Sequence, residues 1–513
     1  MSRAPQATRK RSAAETQEVD ICMVVEGTYP YVAGGVSSWV HDIIRSHPDL
    51  NFHLLAILPP QQKLNLRYEL PANVKGLTHV VFNRLPRGAS RLPRQQEFFR
   101  RLEAALMAFQ SQGGTVPLAE VIALLAPVRH LLGQELLLDS RSAWDMLCRM
   151  YETLLPGGPF LDFFWTWRFL VGNMMTLLLA PLPRARVYHT VSTGYAGLYA
   201  ARAHLETGRP ALVSEHGIYT NERRIEIAMA DWLYETPQDG MNVDANIHDI
   251  RSLWVGAFQC YSLSCYQACS EIITLYSGNQ AFQRADGADP ERMRVIPNGI
   301  RWQDFDGIRR SGDARPTMAL IGRVVPIKDV KSFLRAAAVV RERVPDLRVL
   351  VMGPTEEDLV YFRECRELTA HLGLEGVVTY TGRVKLSESL AEVDVNVLSS
   401  ISEGQPLVIL EAGAAGIPTV ATDVGGCREL IEGRPGESPA LGSGGAVVPV
   451  ANPHALAGAV AELLANPALR EARGQSMRAR VQAHYDLVQM KSAYQDIYLR
   501  LRALPDVRDM REE

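Results

Sequence analysis

Thr317–Gly353, TMALIGRVVPIKDVKSFLRAAAVVRERVPDLRVLVMG, decides the fold. TMALI is a short apolar run closed by Gly322, which reads as a buried strand and the turn that ends it. From about Asp329 to Arg343 the apolar residues recur at helical spacing, and LRVLVMG at 347–353 is a second buried strand. Two strands apolar on both faces, joined by a helical crossover, describe a parallel sheet covered by helices. The pattern continues with a helix over Glu356 to Leu372, then VVTYTGRV at 377–384, VDVNVLS at 393–399, PTVATDV at 418–424 and GAVVPV at 445–450. Residues 315–484 therefore read as one doubly wound α/β domain.

Toward the N-terminus the same alternation appears a second time. DICMVVE (Asp20–Glu26) is an apolar strand, TYPYVAGG a glycine-rich loop and VSSWVHDIIRSH a periodic helix. NFHLLAIL at 51–58, HVVFNRL from His79, RVYHTVS at 186–192, ALVSEHG at 211–217, EIITLYS at 271–277 and MRVIPNG at 293–299 supply further strands. From about 84 to 180 the chain turns helical and leucine-rich, an insertion within a domain spanning 19–300. The expected fold is α/β, with two Rossmann-like doubly wound domains facing a cleft and hinged near Ile300 to Pro316. A polar disordered tail (1–18) precedes them, and a C-terminal segment (485–513) is expected to fold back as a helix on the N-terminal domain. Open sheets of this kind bind ligands at the carboxyl ends of their strands.

Composition narrows the function classes. In 513 residues, 47% are hydrophobic and 22% charged, which is enough apolar surface for two or three packed domains. With 54 basic and 57 acidic residues the net charge is −3, so no global field draws nucleic acid or anionic lipid and any anionic ligand must be met locally. The seven cysteines (Cys22, Cys148, Cys260, Cys265, Cys269, Cys365, Cys427) form no even framework and read as reduced thiols of a cytoplasmic protein. Cys260, Cys265 and Cys269 are read as lying near one helical face, a packing feature without metal-ligand spacing. Phe160 to Leu182 has the length of a membrane span, but Asp162, Arg168, Gly172 and Asn173 interrupt it, so it reads as helix packed in the insertion.

Absences narrow the chemistry further. None of the seven lysines follows a glycine, so there is no P-loop, and no HExxH helix is present. Gly34-Gly35 lacks the third glycine of a dinucleotide fingerprint. Asp304-Phe305-Asp306 has a DxD form that is common by chance and is read as structural.

The chemistry concentrates in Ser400–Gly426, SISEGQPLVILEAGAAGIPTVATDVGG. Glu403 falls in the loop after a strand, Pro406 is placed as the first helical residue, and Glu411 lies along that helix. The amides of Gly404 and Gln405 then sit near a helix N-terminus, which favours anions and polarised hydroxyls. A carboxylate such as Glu411 accepts from both hydroxyls of a vicinal diol. Gly322-Arg323 follows a strand directly, with Lys328 five residues beyond the arginine. A planar guanidinium fork and an ammonium at one strand end suit a diphosphate, and lysine is scarce in this chain. Gly35 exposes amides with no side chain to hold an anion away.

The Glu403-x7-Glu411 spacing, Gly322-Arg323 with Lys328, the VIPNG turn at 295–299 and the glycine loop at 34–35 resemble the retaining two-domain GT-B glycosyltransferases of family 4. VVEGTYPYVAGGVSSWV, SEHGIYTNERR and EGQPLVILEAGAAGIP resemble its Pel exopolysaccharide branch. The resemblance implies a UDP-sugar donor bound by Gly34, Gly35, Gly322, Arg323, Lys328, Glu403, Gly404, Gln405, Pro406, Leu407 and Glu411. Arg323 and Lys328 would hold the diphosphate, Glu411 the ribose and Glu403 the sugar hydroxyls. His216 would lie near the reacting carbon and count, with Glu403, Arg323 and Lys328, among the catalytic residues. The acidic residue that ordinarily follows the PNG turn is displaced to Asp304. The resemblance further implies a front-face reaction without cofactor or metal, on a growing polysaccharide or lipid-linked acceptor. Inner-membrane Pel export proteins would be partners, with the protein cytoplasmic or peripheral at that membrane and nucleic acid excluded. The sugar, whether glucose, galactose or an N-acetylhexosamine, stays open. So do two other readings: a UDP-sugar-binding scaffold or sensor of a synthase complex, and a UDP-N-acetylhexosamine 2-epimerase.

Overall fold

The structure, a computed structural model, describes residues 18–60, 64–228, 249–310 and 315–505. Of the expected N-terminal tail, residues 1–17 lie outside them, as do the last residues of the C-terminal segment, while Glu18 is described and pairs with Arg209 at 3.2 Å. Two parallel sheets organise the chain. The first has seven strands: β1 (Val19–Glu26), β2 (Phe52–Leu58), β3 (Val74–Val81), β4 (Ala185–Thr190), β5 (Ala211–Glu215), β6 (Cys269–Thr274) and β7 (Met293–Val295), in the order β3-β2-β1-β4-β5-β6-β7. The second has six: β8 (Thr317–Ile321), β9 (Arg348–Met352), β10 (Val378–Gly382), β11 (Val395–Leu398), β12 (Thr419–Thr422) and β13 (Gly445–Val448), in the order β10-β9-β8-β11-β12-β13. Both orders run outward in opposite directions from a central pair, which makes β1/β4 and β8/β11 the switch points where such sheets leave a crevice. Val24 pairs with both Leu55 and Thr190, and Leu320 with both Val351 and Val397, so each switch point is held by direct ladder bonding.

The second sheet shows why the sequence folds this way. Every residue of β8 is buried, as continuous apolar runs in parallel sheets must be. Pro326 opens a single 3-10 turn (Pro326–Lys328), which Asp329 ends in the left-handed conformation at φ 43°. The Asp329 carboxylate accepts from the Ser332 amide at 3.2 Å and so caps the helix Val330–Arg343. That helix buries Phe333, Leu334, Ala337 and Val340 against Val349, Val351 and Val397. Gly353 is required for a different reason: a side chain there would drive into the Gly322 carbonyl, so the two strand-end loops approach as only glycine permits.

By packing, the described residues fall into two compact units. One comprises Met1–Val213, Ile227–Ser270 and Tyr498–Glu513, the other Ser214–Glu226 and Glu271–Ile497. In the first, the segment between β3 and β4 contains no strand; an extended stretch over 82–94 leads into a run of helices, the longer ones being Gln95–Gln112, Thr115–Leu125, Arg141–Leu154 and Phe160–Leu179. The stretch from Phe160 is one helix whose inner face (Phe163, Trp167, Leu170, Met174) is buried. Among the described residues no helix is long and apolar enough to cross a membrane. The C-terminal helix runs Leu487–Arg502; Tyr498 donates to or accepts from His189 Nδ1 at 2.7 Å, and Arg502 pairs with Asp20 at 3.0 Å. Two details differ from the sequence expectation. Pro406 is the N-cap residue of the helix Leu407–Ala414, its backbone still extended, and not the first helical residue. Cys269 opens β6, after the helix Ile250–Ala268 that carries Cys260 and Cys265, because the helix ends where the β-prone CSEIIT run begins.

In the second unit, helix Pro467–His484 clamps the loop after Glu432 through a buried ion pair. Arg480, fully buried, donates to Glu437 at 2.8 and 2.9 Å, to the Ile431 carbonyl at 2.8 Å and to the Gly442 carbonyl at 2.5 Å. The guanidinium holds the Glu437 carboxyl below the usual carboxylate range. The folded form thus binds this proton less readily than the unfolded chain. Its contribution is complete above the ordinary carboxylate range and is lost as pH falls through it. Glu437→Ala leaves Arg480 buried and unpaired, a change that costs about 3–5 kcal/mol. Urea unfolding at neutral pH is expected to show that loss, and the gap to the parent protein to narrow on acidification. Equal midpoints at neutral pH would show that the clamp contributes nothing.

Candidate active site

The carboxyl ends of β8, β11 and β12 bring three loops of the second unit together. From β11 the chain enters Ser399 and Ser400, both buried. Ser399 Oγ donates to the carbonyls of Lys328 (2.9 Å) and Asp329 (3.0 Å), and the Ile401 amide donates to the Ile327 carbonyl at 2.9 Å. These bonds seam the loop after β11 to the turn after β8. Across that seam Lys328 Nζ reaches Glu403 Oε1 at 2.5 Å, with the side chains only 20% and 11% exposed. Ser400 Oγ donates to the same Oε1 at 2.5 Å, leaving Oε2 without a partner among the described residues. Thr422 at the end of β12 fixes Ser400 by donating to its carbonyl at 2.6 Å.

Glycines support the loop from beneath. Gly425 has φ +53° and would, with a side chain, run into the carbonyl oxygens of Glu403 and Gly404, and the Gly426 amide donates to the Gly404 carbonyl at 2.8 Å. Gly404 also lies so close to the His216 carbonyl oxygen that a Cβ there would overlap it. The Gln405 side chain is occupied, its Oε1 accepting from the Asn298 amide of the PNG turn at 2.6 Å. Because the helix begins at Leu407, its unbonded N-terminal amides are those of Leu407 and Val408 rather than Gly404 and Gln405.

Glu411, in the second turn of this helix, makes no side-chain hydrogen bond among the described residues. Burial pushes its carboxyl up to about 7. A desolvated carboxyl without a partner is poised for ligand hydroxyls, because their donated bonds would stabilise its charged form. Arg323 is more exposed and pairs with Glu357 at 3.0 Å, so both cations at this strand end have carboxylate partners. Asp304 pairs with Arg301 at 3.0 Å, and Asp306 lies 3.8 Å from Arg478. Among the described residues no three His, Cys, Asp or Glu side chains are gathered as metal ligands would be.

The structure therefore brings Lys328, Glu403, Gly404 and His216 together, sets Gln405, Pro406, Leu407 and Glu411 on the adjoining turn and helix, and holds Gly322 and Arg323 at the end of β8. Gly34 and Gly35 lie in the other unit, exposed at the start of the helix Gly35–Ser46. Sequence reasoning missed Ser399, Ser400, Gly425 and Glu357. Only the glycine pair ending VATDVGG carried a readable signal, a strand followed by residues that allow close backbone approach.

Residues 19–291 match the family described as Domain of unknown function (DUF3492), and residues 315–466 match Glycosyl transferases group 1. Among curated relatives, the D-inositol 3-phosphate glycosyltransferase of Streptomyces griseus is 30% identical over 252 residues, 45% of this chain and 52% of that one. That of Streptomyces scabiei is 34% identical over 168 residues, 29% of this chain and 37% of the relative. The chain thus spans about half or less of the length of these relatives. Among solved structures, sucrose-phosphate synthase of Thermosynechococcus elongatus superposes with a TM-score of 0.58 at 16% identity, covering 94% of this chain and 99% of that one. Anabaena HepE in complex with UDP gives 0.55 at 13% identity, covering 93% and 98%. These likenesses are of fold, the GT-B arrangement of two Rossmann-like parallel sheets.

Burial lowers the His216 imidazole from 6.5 to about 4, so it is neutral at physiological pH. The unfolded chain takes up this proton first, so acidification from 6.5 toward 4 penalises the folded state. In proton NMR the His216 ring resonance, assigned by its loss in His216→Asn, is expected to hold still between pH 8 and about pH 5 while exposed histidines titrate. A midpoint near 6.5 would mean that the ring is solvated.

Proposed function

The chain belongs to the family described as Domain of unknown function (DUF3492), and on that premise we propose that it is a glycosyltransferase taking its donor at the Lys328, Glu403 and Glu411 cluster. The donor is a UDP-hexose, and transfer is to a growing exopolysaccharide of the Pel type, with retention at the sugar carbon. One observation carries the reading: within a glycosyl transferases group 1 match, the Lys328 ammonium is held on a half-satisfied Glu403 carboxylate at the strand ends, and the helix that follows carries the buried Glu411 carboxyl, without a side-chain hydrogen bond among the described residues. That set matches the parts of a nucleoside diphosphate sugar: an anion, sugar hydroxyls and a ribose diol.

Breaking the bond between sugar and diphosphate leaves negative charge on UDP and an oxocarbenium-like sugar. Fixed donors act best where such charge develops, in a site that excludes water. Lys328 and Arg323 supply two cations there, already oriented by Glu403 and Glu357. As the diphosphate draws the ammonium toward itself, Glu403 keeps the Ser400 bond and offers Oε2 to a sugar hydroxyl. Neutral His216 adds a ring without adding charge beside the cationic sugar. In a front-face reaction the acceptor hydroxyl attacks from the side of the leaving group and passes its proton to a phosphate oxygen, so no dedicated base is needed. The reading places the protein in the cytoplasm, with a polysaccharide or lipid-linked acceptor and inner-membrane export partners.

Calorimetric titration with UDP-glucose and UDP-N-acetylgalactosamine, with EDTA and then with magnesium, tests it. Lys328→Ala and Glu411→Ala are each expected to weaken binding by about 1–3 kcal/mol, or roughly 5-fold to 150-fold. Near pH 6.5 the ribose hydroxyls should stabilise the ionised Glu411 carboxyl and expel its proton, so the measured heat should vary with the ionisation enthalpy of the buffer. That variation should fade above about pH 8 and vanish in Glu411→Gln. Undiminished binding in folded variants would sink the assignment. Donor binding without transfer to any acceptor would favour the scaffold reading.

A further inference from the structure

The first unit contains a cavity remote in sequence from the residues above. It has a volume of about 230 Å³ and lies against the helix Phe160–Leu179, lined by Asn83, Gln134, Trp165, Arg168, Phe169 and Gly172 with two leucines. One ordered water needs only roughly 10–15 Å³, so the space is on the scale of a larger ligand. Trp165 and Phe169 stand one helical turn apart on the same face and are 61% and 36% exposed, while Phe163, Trp167 and Leu170 on the inner face are buried.

The polar groups are held in place. Arg168 donates to the Leu138 carbonyl at 2.9 Å and to Asp139 Oδ1 at 2.9 Å, and its guanidinium lies over the Phe164 ring at 5.7 Å. Two of its five N–H groups are thus engaged and three remain. Gln134 donates to Asp139 Oδ2 at 3.1 Å, keeping its own carbonyl oxygen available. Asn83, two residues past β3, lies in the left-handed region at φ 56°, its amide donating to Asn173 Oδ1 at 3.0 Å, and its side chain makes no hydrogen bond among the described residues. Asn173 is fully buried, and its Nδ2 has no acceptor among the described residues. Gly172 leaves the floor open, although a Cβ there would meet only Leu138 Cδ1 at 3.5 Å and Asn83 Oδ1 at 4.0 Å.

We infer that this cavity is a carbohydrate subsite that takes a neutral hexose unit of a glycan, distinct from the Lys328 and Glu403 site. A pyranose presents an apolar face of C–H groups, which packs on an aromatic ring, and a rim of hydroxyls that donate and accept. Exposed aromatic rings beside a fixed guanidinium and two amides match both features. A lipid chain would leave those polar groups desolvated and unpaired, at a cost that disfavours it. An anion would meet an arginine already neutralised by Asp139. The inference depends on no residue of the donor cluster.

The test uses the full chain with maltohexaose, N-acetylated chitohexaose and N-acetylgalactosamine oligomers. Tryptophan fluorescence and calorimetry report binding, and UDP-glucose titration runs in parallel. At least one oligosaccharide is expected to bind, with Trp165→Ala and Asn83→Ala each weakening it about tenfold or more while UDP-glucose affinity is unchanged. Trp165 is exposed, so its removal leaves the core intact. Two outcomes overturn the inference: no oligosaccharide binding by protein that binds UDP-glucose, or undiminished binding by Trp165→Ala. Trp165-dependent capture by phosphatidylethanolamine and phosphatidylglycerol vesicles, without glycan binding, overturns it in favour of a membrane surface. Glycan binding lost in Trp165→Ala by a protein that ignores UDP-glucose upholds it and sinks the donor reading instead.

Discussion

The ion pair between Lys328 and Glu403 is the contact on which the second unit's site depends. It joins the loop after β8 to the loop after β11, the two strands that flank the switch point, and is itself tied by Ser399, Ser400 and Thr422. Removing two charges from water costs several kcal/mol per ion, and their attraction repays this only with good geometry and further hydrogen bonds. Here the pair is one-sided. Both the ammonium and the serine crowd Oε1, while Oε2 is left over. Such an arrangement is a weak device for stability and a strong one for orientation, because it holds a cation and an acceptor ready before a ligand arrives.

Glu411 complements that pair by being its opposite. Lys328 and Glu403 are charged and matched, whereas Glu411 is desolvated, partnerless and pushed up to about 7. The fold tolerates it because helix Leu407–Ala414 is anchored on its other faces by Ile409, Leu410 and Ala414 in the core. His216 is lowered to about 4 by burial and so is held neutral, whereas Glu411 is only part protonated near pH 7. Paired charges beside groups whose charged forms desolvation disfavours suit the anionic and the neutral parts of one ligand.

Much of this was legible in the sequence, and the reason is periodicity. TMALI, LRVLVM and VDVNVL read as buried parallel strands because covered sheets demand apolar residues on both faces, and the loops between them then placed Arg323, Lys328 and Glu403 at strand ends. Partners across a gap in sequence were not legible. Nothing in ISEGQP announces that Glu403 meets Lys328, 75 residues away, or that Arg323 turns to Glu357. Boundaries also slipped. The third strand starts at Val74, ahead of the HVVF run, because pairing with β2 from Phe52 recruits VKGLT, whose exposed positions hide the pattern. Pro406 fell one place outside its helix, where its fixed φ serves the N-cap residue as well as the first turn.

The helix Phe160–Leu179 carries the same lesson further. Its composition reads as simple burial, and its inner face obeys that reading. Its outer face does not: Leu161 and Trp165 stand 64% and 61% exposed, and the fully buried Asn173 of the same helix holds an amide without an acceptor among the described residues. Solvating a tryptophan forgoes apolar burial, and an orphaned amide costs more still. Local rules broken together beside a cavity whose guanidinium is locked on three sides are what the inferred carbohydrate subsite rests on. The two units thus share a logic in which the core follows the hydrophobic pattern and the binding chemistry sits where the pattern is violated.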